Sequence, residues 1–243
     1  MKKYKIKWQI IALVIVIVLA ITLFFYSEKN IVKAPGGQTE VVGIGQTVDT
    51  PIVAKKIVLP TSYLLEVLFQ SQAPNRNWAE PYQNACEEAS IVMVKYFYEK
   101  EALNTEIMKS EIDKSVAWQI KNYGSHYDLD AAGTLKLAEE YFGLSGKVIS
   151  GYTLEDIKSY ISNGTPMIVP SAGRLVGNPG FTGLGPIYHM LVIIGYDDSR
   201  GVFITNDPGV NHGAKFEYKY QTILDAVSGP KSNMAKELLV LDR

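Results

Sequence analysis

A chain of 243 residues, 47% hydrophobic and 20% charged, holds enough apolar material for one sizeable domain with appendages. Its net charge of −1 gives nucleic acid no electrostatic footing. A single cysteine excludes both an intramolecular disulfide framework and a cysteine-rich zinc site.

Residues 1–9 carry Lys2, Lys3, Lys5 and Lys7 and precede an unbroken apolar run from Ile10 to Tyr26. At about 1.5 Å per residue this run covers about 25 Å, enough for a thin bilayer with its flanks snorkelling. A cleavable signal peptide has a shorter core and small residues at its cut site, and Leu23-Phe24-Phe25-Tyr26-Ser27-Glu28 offers neither. Segment 10–26 therefore reads as an uncleaved, single-pass signal anchor. The lysine excess before it, against Lys29 and Lys33 after it, keeps residues 1–9 cytoplasmic and puts the rest outside the cell membrane. Residues 27–62 read as a linker: a Pro-Gly-Gly tether, then short leading strands at Val41–Val48 and Ile57–Leu59.

The domain expected over 63–243 opens with a strand at Leu64–Phe69, followed by an irregular stretch, Asn75–Gln83, with Trp78 and Pro81. Ala89, Val92, Met93, Tyr96 and Phe97 recur at helical spacing, predicting a helix from Cys86 to about Lys100. Further helices are expected over Thr105–Asn122 and Leu129–Phe142. A capping box at Thr153 opens another, ending near Ser162. Then the period changes. Pro166–Pro170 is a short apolar run, and a glycine-rich loop, 173–185, leads to a β-branched strand, His189–Tyr196. Asp197–Gly201 is turn chemistry, and Val202–Thr205 returns as the hairpin partner, running into Asn206-Asp207-Pro208-Gly209. A helix at Tyr220–Val227 and a strand at Glu237–Leu241 finish an α+β layout, a helical half followed by an antiparallel sheet.

Cys86 opens its helix, where unpaired amides and the helix dipole favour a thiolate. Glu87 and Glu88 suit the same dipole but oppose ionisation of a neighbouring thiol. Taken alone, a cysteine at such a place is more often an inert buried residue. Of the three histidines, His126 lies in a polar turn and is expected to be exposed, and His212 lies in another loop. His189 stands at the mouth of the buried strand, on rigid backbone beside a loop, which suits a base as well as a hydrogen-bonded rim residue. If 189–196 and 202–205 pair as a hairpin, Asp207 returns level with the start of the first strand and comes close to His189. Asp207 also suits a plain turn.

In this order the three positions resemble the papain-like cysteine peptidases. Within them they are most similar to the bacteriocin-processing (double-glycine leader) peptidase domains and their stand-alone relatives. The resemblance rests on Phe69-Gln70-Ser71-Gln72, Cys86-Glu87-Glu88-Ala89-Ser90, the strand His189–Tyr196 and the turn Asn206-Asp207-Pro208-Gly209, and covers about residues 63–242. It implies a papain-like fold and a thiol peptidase acting on a peptide or protein, with Cys86 attacking a carbonyl, His189 moving protons and Asp207 fixing the imidazole tautomer. It also implies a glutamine binding the oxyanion beside the cysteine's own amide: Gln72 by position after the strand, with Gln83 as rival. Glu87 departs from the glycine common in the family after the nucleophile. No transporter segments or ATP-binding cassette accompany the domain, so an anchored surface peptidase is expected rather than export-coupled leader removal. The residues leave two alternatives open, a non-catalytic peptide-binding module and an acyl or amide transferase on the same triad.

No cofactor or metal is expected. Asp128-Leu129-Asp130-Ala131-Ala132-Gly133, with Glu139, partly imitates a calcium loop, but Ala132 replaces an oxygen ligand and Asp128 or Asp130 suits helix capping better. The glycines of 173–185 lack a phosphate-loop pattern and read as a flap beside His189.

Overall fold

A computed structural model describes residues 58–229 and 231–242. The expected anchor at 10–26, the basic segment before it and the strand at 41–48 lie outside the described residues. Among the described residues no helix is long and apolar enough to cross a membrane.

The sheet is antiparallel at every pairing and takes the order β2-β7-β3-β4-β5-β6. Its strands are β2 (Ser145–Ser150), β3 (Met167–Ala172), β4 (Tyr188–Asp197), β5 (Val202–Asn206), β6 (Phe216–Lys219) and β7 (Glu237–Asp242). A short strand, β1 (Ser62–Leu64), also pairs with β4. His189 to Tyr196 are buried without a break, so β4 is covered on both faces and reads as a continuous apolar run rather than an alternating one.

The expected strand over Leu64–Phe69 is corrected. Regular pairing stops at Leu64, which faces Gly195 on β4. Two residues along β4, Ile193 is already paired with Met167 of β3, so the edge is occupied. Residues 65–69 run on beside the sheet with isolated bonds instead: the Leu65 amide donates to the Ile194 carbonyl (2.8 Å), and Asn206 Nδ2 donates to the Val67 carbonyl (2.9 Å). Val58 and Leu59, the described part of the expected strand 57–59, form none. Strands β2 and β6 went unanticipated. Both sit at ends of the sheet and are only partly buried, so they lack the apolar signature of β4.

The helices are α1 (Cys86–Glu99), α2 (Thr105–Tyr123), α3 (Ala131–Glu140), α4 (Leu154–Ser162), a single turn α5 (Gly173–Val176) and α6 (Tyr220–Ser228). Their starts follow side-chain chemistry: Asn104, Asp130 and Thr153 accept from the amides of Ile107, Gly133 and Asp156. Helix α1 packs against β4, α2 and α3, and every residue from Cys86 to Val94 is buried, including Glu87, Glu88 and Ser90. It is a central helix enclosed on all sides, not one with a wet face. His126, expected to be exposed, is also buried: the loop before α3 folds beneath the irregular 75–83 stretch, leaving its Nε2 4.0 Å from Glu80 and its ring against Tyr127. Burial lowers the pKa of its imidazole.

Candidate active site

Strand β4 carries His189 at its second residue, buried and paired with Ser171 of β3, whose hydroxyl donates to the His189 carbonyl at 3.0 Å. The hairpin brings Val192 opposite Asn206, so the chain leaving β5 puts Asp207 beside His189. Imidazole Nε2 and Asp207 Oδ1 are 2.7 Å apart, leaving Nδ1 to face other partners. Asp207 is fully buried and accepts four hydrogen bonds. Oδ1 takes His189 Nε2 and the Gly209 amide (3.0 Å), and Oδ2 takes Asn178 Nδ2 (2.8 Å) and the Tyr218 hydroxyl (2.6 Å). Burial alone would raise its pKa. The His189 charge and the donated hydrogen bonds outweigh that and hold the carboxyl below its usual value.

Asn178 and Tyr218 were invisible to sequence reasoning. Tyr218 sits on the unanticipated β6, and Asn178 lies in the loop read as a flap. That loop is anchored at its base, with Val176 and Asn178 buried and Phe181 edge-on to the His189 ring at 5.2 Å, while Leu184 at its tip is exposed. The one available signal was the alternation around Tyr218, which four residues are too few to establish.

Cys86 is the first residue of α1 and is buried. Its sulfur lies against the backbone amide of Met190, the residue after His189, and 3.1 Å from Glu87 Oε2. Burial pushes the thiol well above its ordinary pKa, Glu87 and Glu88 add to this, and the Met190 amide draws it back in smaller measure.

Gln72 is buried and tied to the acid-bearing turn, its backbone amide donating to the Pro208 carbonyl at 3.0 Å. Its Nε2 donates to the carbonyls of Tyr82 (3.0 Å) and Gln83 (3.1 Å), so the stretch looping out between Gln72 and Cys86 closes back on Gln72. The Gln83 side chain turns instead to Glu80. Cys86, His189, Gln72 and Gln83 line one cavity of about 390 Å³, together with Glu87, Trp78, Asp128, Phe181, Tyr188 and Asn211. Asp207 stands behind His189, outside the lining. Among the described residues no group of three His, Cys, Asp or Glu side chains is placed to hold a metal. Asp130 caps α3.

Gly209 packs so tightly on the imidazole that a Cβ there would lie 2.5 Å from His189 Cε1 and 3.1 Å from Nε2. Gly209→Ala is therefore expected to push the ring off Asp207. Turnover should fall by about 10²-fold, the scale of an ångström of misplacement. Steady-state kinetics beside a thermal unfolding curve would check this, a fall in turnover with little loss of stability being the expected pattern.

Comparison with curated proteins finds no match. Among solved structures, a candidate C39-like peptidase from Bacillus anthracis is similar, at 14% identity and a TM-score of 0.50, covering 75% of this chain and 98% of that one. This shows a shared fold. The model of the Peptidase_C39 like family matches residues 64–229, more than half of the 243. The match takes in the helix that opens with Cys86, the strand of His189 and the turn of Asp207, and membership points to cysteine peptidase activity: the chain belongs to the papain-like, C39-like peptidase family.

Proposed function

We propose that this chain is a thiol peptidase whose domain is held outside the cytoplasmic membrane by segment 10–26. The thiol proton of Cys86 passes to Nδ1 of His189, and the sulfur attacks the peptide carbonyl carbon. The leaving amine takes that proton as the C–N bond breaks and a thioester forms. Water then gives a proton to His189 as its oxygen attacks the thioester carbon, the C–S bond breaks to release the new carboxyl, and His189 returns the proton to the sulfur. Asp207 holds Nε2–H, so Nδ1 is free to accept, and it stabilises the imidazolium. The oxyanion is met by the Cys86 amide at the open start of α1, and by Gln72 once one Nε2 hydrogen leaves the carbonyls of Tyr82 or Gln83. The observation that carries this reading is the buried His189–Asp207 pair at 2.7 Å, with the sulfur against the next amide along the same strand.

The burial of the sulfur beside Glu87 favours a second reading, a peptide-binding module with a dormant thiol. Full-length protein in detergent is expected to cleave members of a peptide library, and Cys86→Ala to lose about 10⁴-fold or more in turnover. Iodoacetamide should alkylate Cys86 well below pH 8, and His189→Ala should abolish that low-pH reactivity. Ordinary thiol behaviour in both proteins, with no cleavage, would select the binding module. Product transfer to added amines in place of hydrolysis would select an amide transferase.

A further inference from the structure

Two consecutive carboxyls, Glu87 and Glu88, are buried at the start of α1, and among the described residues no lysine or arginine is hydrogen-bonded to either. Glu88 shows how such a pair is tolerated. Its Oε1 accepts from Gln119 Nε2 at 2.6 Å, while Glu88 Oε2 and Gln119 Oε1 are both buried without a partner. Two bare acceptors on facing groups in a dry site are costly. A proton on Glu88 Oε2 would let the two groups close an acid–amide ring, acid carbonyl to amide N–H and acid O–H to amide carbonyl, and so satisfy both atoms. Burial raises the Glu88 pKa to about 7 while the Gln119 hydrogen bond pulls it down, so this carboxyl holds its proton only at lower pH.

Glu87 meets the reacting atom. Its Oε1 accepts from the Leu129 amide at 3.0 Å, which leaves Oε2, 3.1 Å from the sulfur, as the oxygen able to carry a proton. Once the thiol proton has moved to His189, an ionised Oε2 would set anion against anion between two buried groups. A protonated Oε2 turns the same contact into a hydrogen bond to the thiolate. We propose that Glu87 is a catalytic residue of this site, a neutral acid whose Oε2–H donates to the Cys86 thiolate and holds it beside the Met190 amide. This rests on the thiol peptidase reading. The proton count is complete: the S–H bond breaks, an N–H bond forms on His189, and Glu87 keeps its own proton. The groups facing Glu87 are Cys86 and Glu88 on α1, Asp128 and the Leu129 amide before α3, and Tyr188 on β4. Apart from His189, which lines the same cavity and carries the thiol proton in the reacting state, none is a cation that would favour the carboxylate. Burial first, then Glu88, holds Glu87 well above the usual carboxylate range.

As pH rises and Oε2 loses its proton, the sulfur takes back the proton held by His189 and the thiolate is lost. Because Cys86 is the only cysteine, alkylation reports on this sulfur alone. With iodoacetamide and the full-length protein in detergent, the rate is expected to rise to a maximum near neutral pH and then fall by about tenfold on the alkaline side. In Glu87→Gln the new amide donates at every pH. The neutral rate should drop by about tenfold, since an amide N–H is the weaker donor, and the alkaline fall should vanish. Glu87→Leu, lacking any donor, should lose about 10³-fold; if it does not fold, the Glu87→Gln profile decides alone. The proposal is overturned if wild type shows no alkaline fall, if the fall persists in Glu87→Gln, or if Glu87→Gln reacts faster than wild type at neutral pH. His189→Ala under the same reagent separates the two ideas. Unchanged low-pH reactivity there rejects the peptidase reading, whereas an altered His189→Ala profile beside an unaltered Glu87→Gln profile rejects only the role of Glu87.

Discussion

Asp207→Asn is expected to lower kcat/KM for peptide cleavage by about 10⁴ and to cost about 2–4 kcal/mol of stability. The reason is the donor count around the carboxylate. Oδ1 faces His189 Nε2 and the Gly209 amide, and Oδ2 faces Asn178 Nδ2 and the Tyr218 hydroxyl. An asparagine in either orientation sets its own NH₂ against two donors, at a residue with no access to water. With the amide toward the imidazole, Nε2 must become the acceptor and the proton moves to Nδ1, the nitrogen needed to receive the thiol proton. With the amide reversed, Asn178 and Tyr218 lose their acceptor. Steady-state rates and urea unfolding of the two proteins check this. Near-wild-type activity would mean that the imidazole tautomer does not depend on this carboxylate. The pH sign follows from the same contacts. Asp207 has a folded pKa below its unfolded value of about 3.9, so its contribution is complete above that value. It is lost as pH falls through the lower folded one.

Glu88→Gln is expected to stabilise the protein at pH 8 while changing little at pH 5. A raised carboxyl works in the opposite sense to Asp207. Burial holds the folded pKa of Glu88 above the unfolded value of about 4.3, so the folded state binds the extra proton. That contribution is fully present below the unfolded pKa and drains away as pH rises through the folded one. One such group changes stability by about 1.4 kcal/mol per pH unit at most, so the wild type should lose on the order of 2 kcal/mol from Glu88 across this window. A glutamine reproduces the neutral acid, since its Nε2 can donate to Gln119 Oε1 and its Oε1 can accept from Gln119 Nε2, and it has no proton to lose. Glu88→Ala differs: it strands both polar atoms of Gln119 and opens a void beside α1, at a cost of about 2–4 kcal/mol at any pH. Urea midpoints from pH 5 to 8 for the three proteins give the test. Parallel curves for wild type and Glu88→Gln would show that Glu88 is ionised throughout.

The contrast between Asp207 and Glu88 also shows what kind of information each level of structure holds. The course of α1, the run of β4, the turn at 197–201 and the capping box at Thr153 were readable from residue order, because each depends on neighbours within a few positions: apolar spacing, β-branching, a side chain reaching its own backbone. The chain order of Cys86, His189 and Asp207 was readable too, and the hairpin register predicted that the imidazole and the carboxylate would meet. Strands β2 and β6 left no such mark, since an edge strand exists through the partner it pairs with and not through its own apolar face. The stop of β1 at Leu64 was set by β3, more than a hundred positions along the chain, already holding that stretch of β4. The partners that give each acid its protonation came from equally far away. Asn178 and Tyr218 converge on Asp207 with enough donors to keep it charged, whereas Glu88 meets one amide in a dry interior and its pKa is raised to about 7. Local chemistry can name a carboxyl, but its charge depends on how many donors and how much water surround it, and only the folded chain decides both.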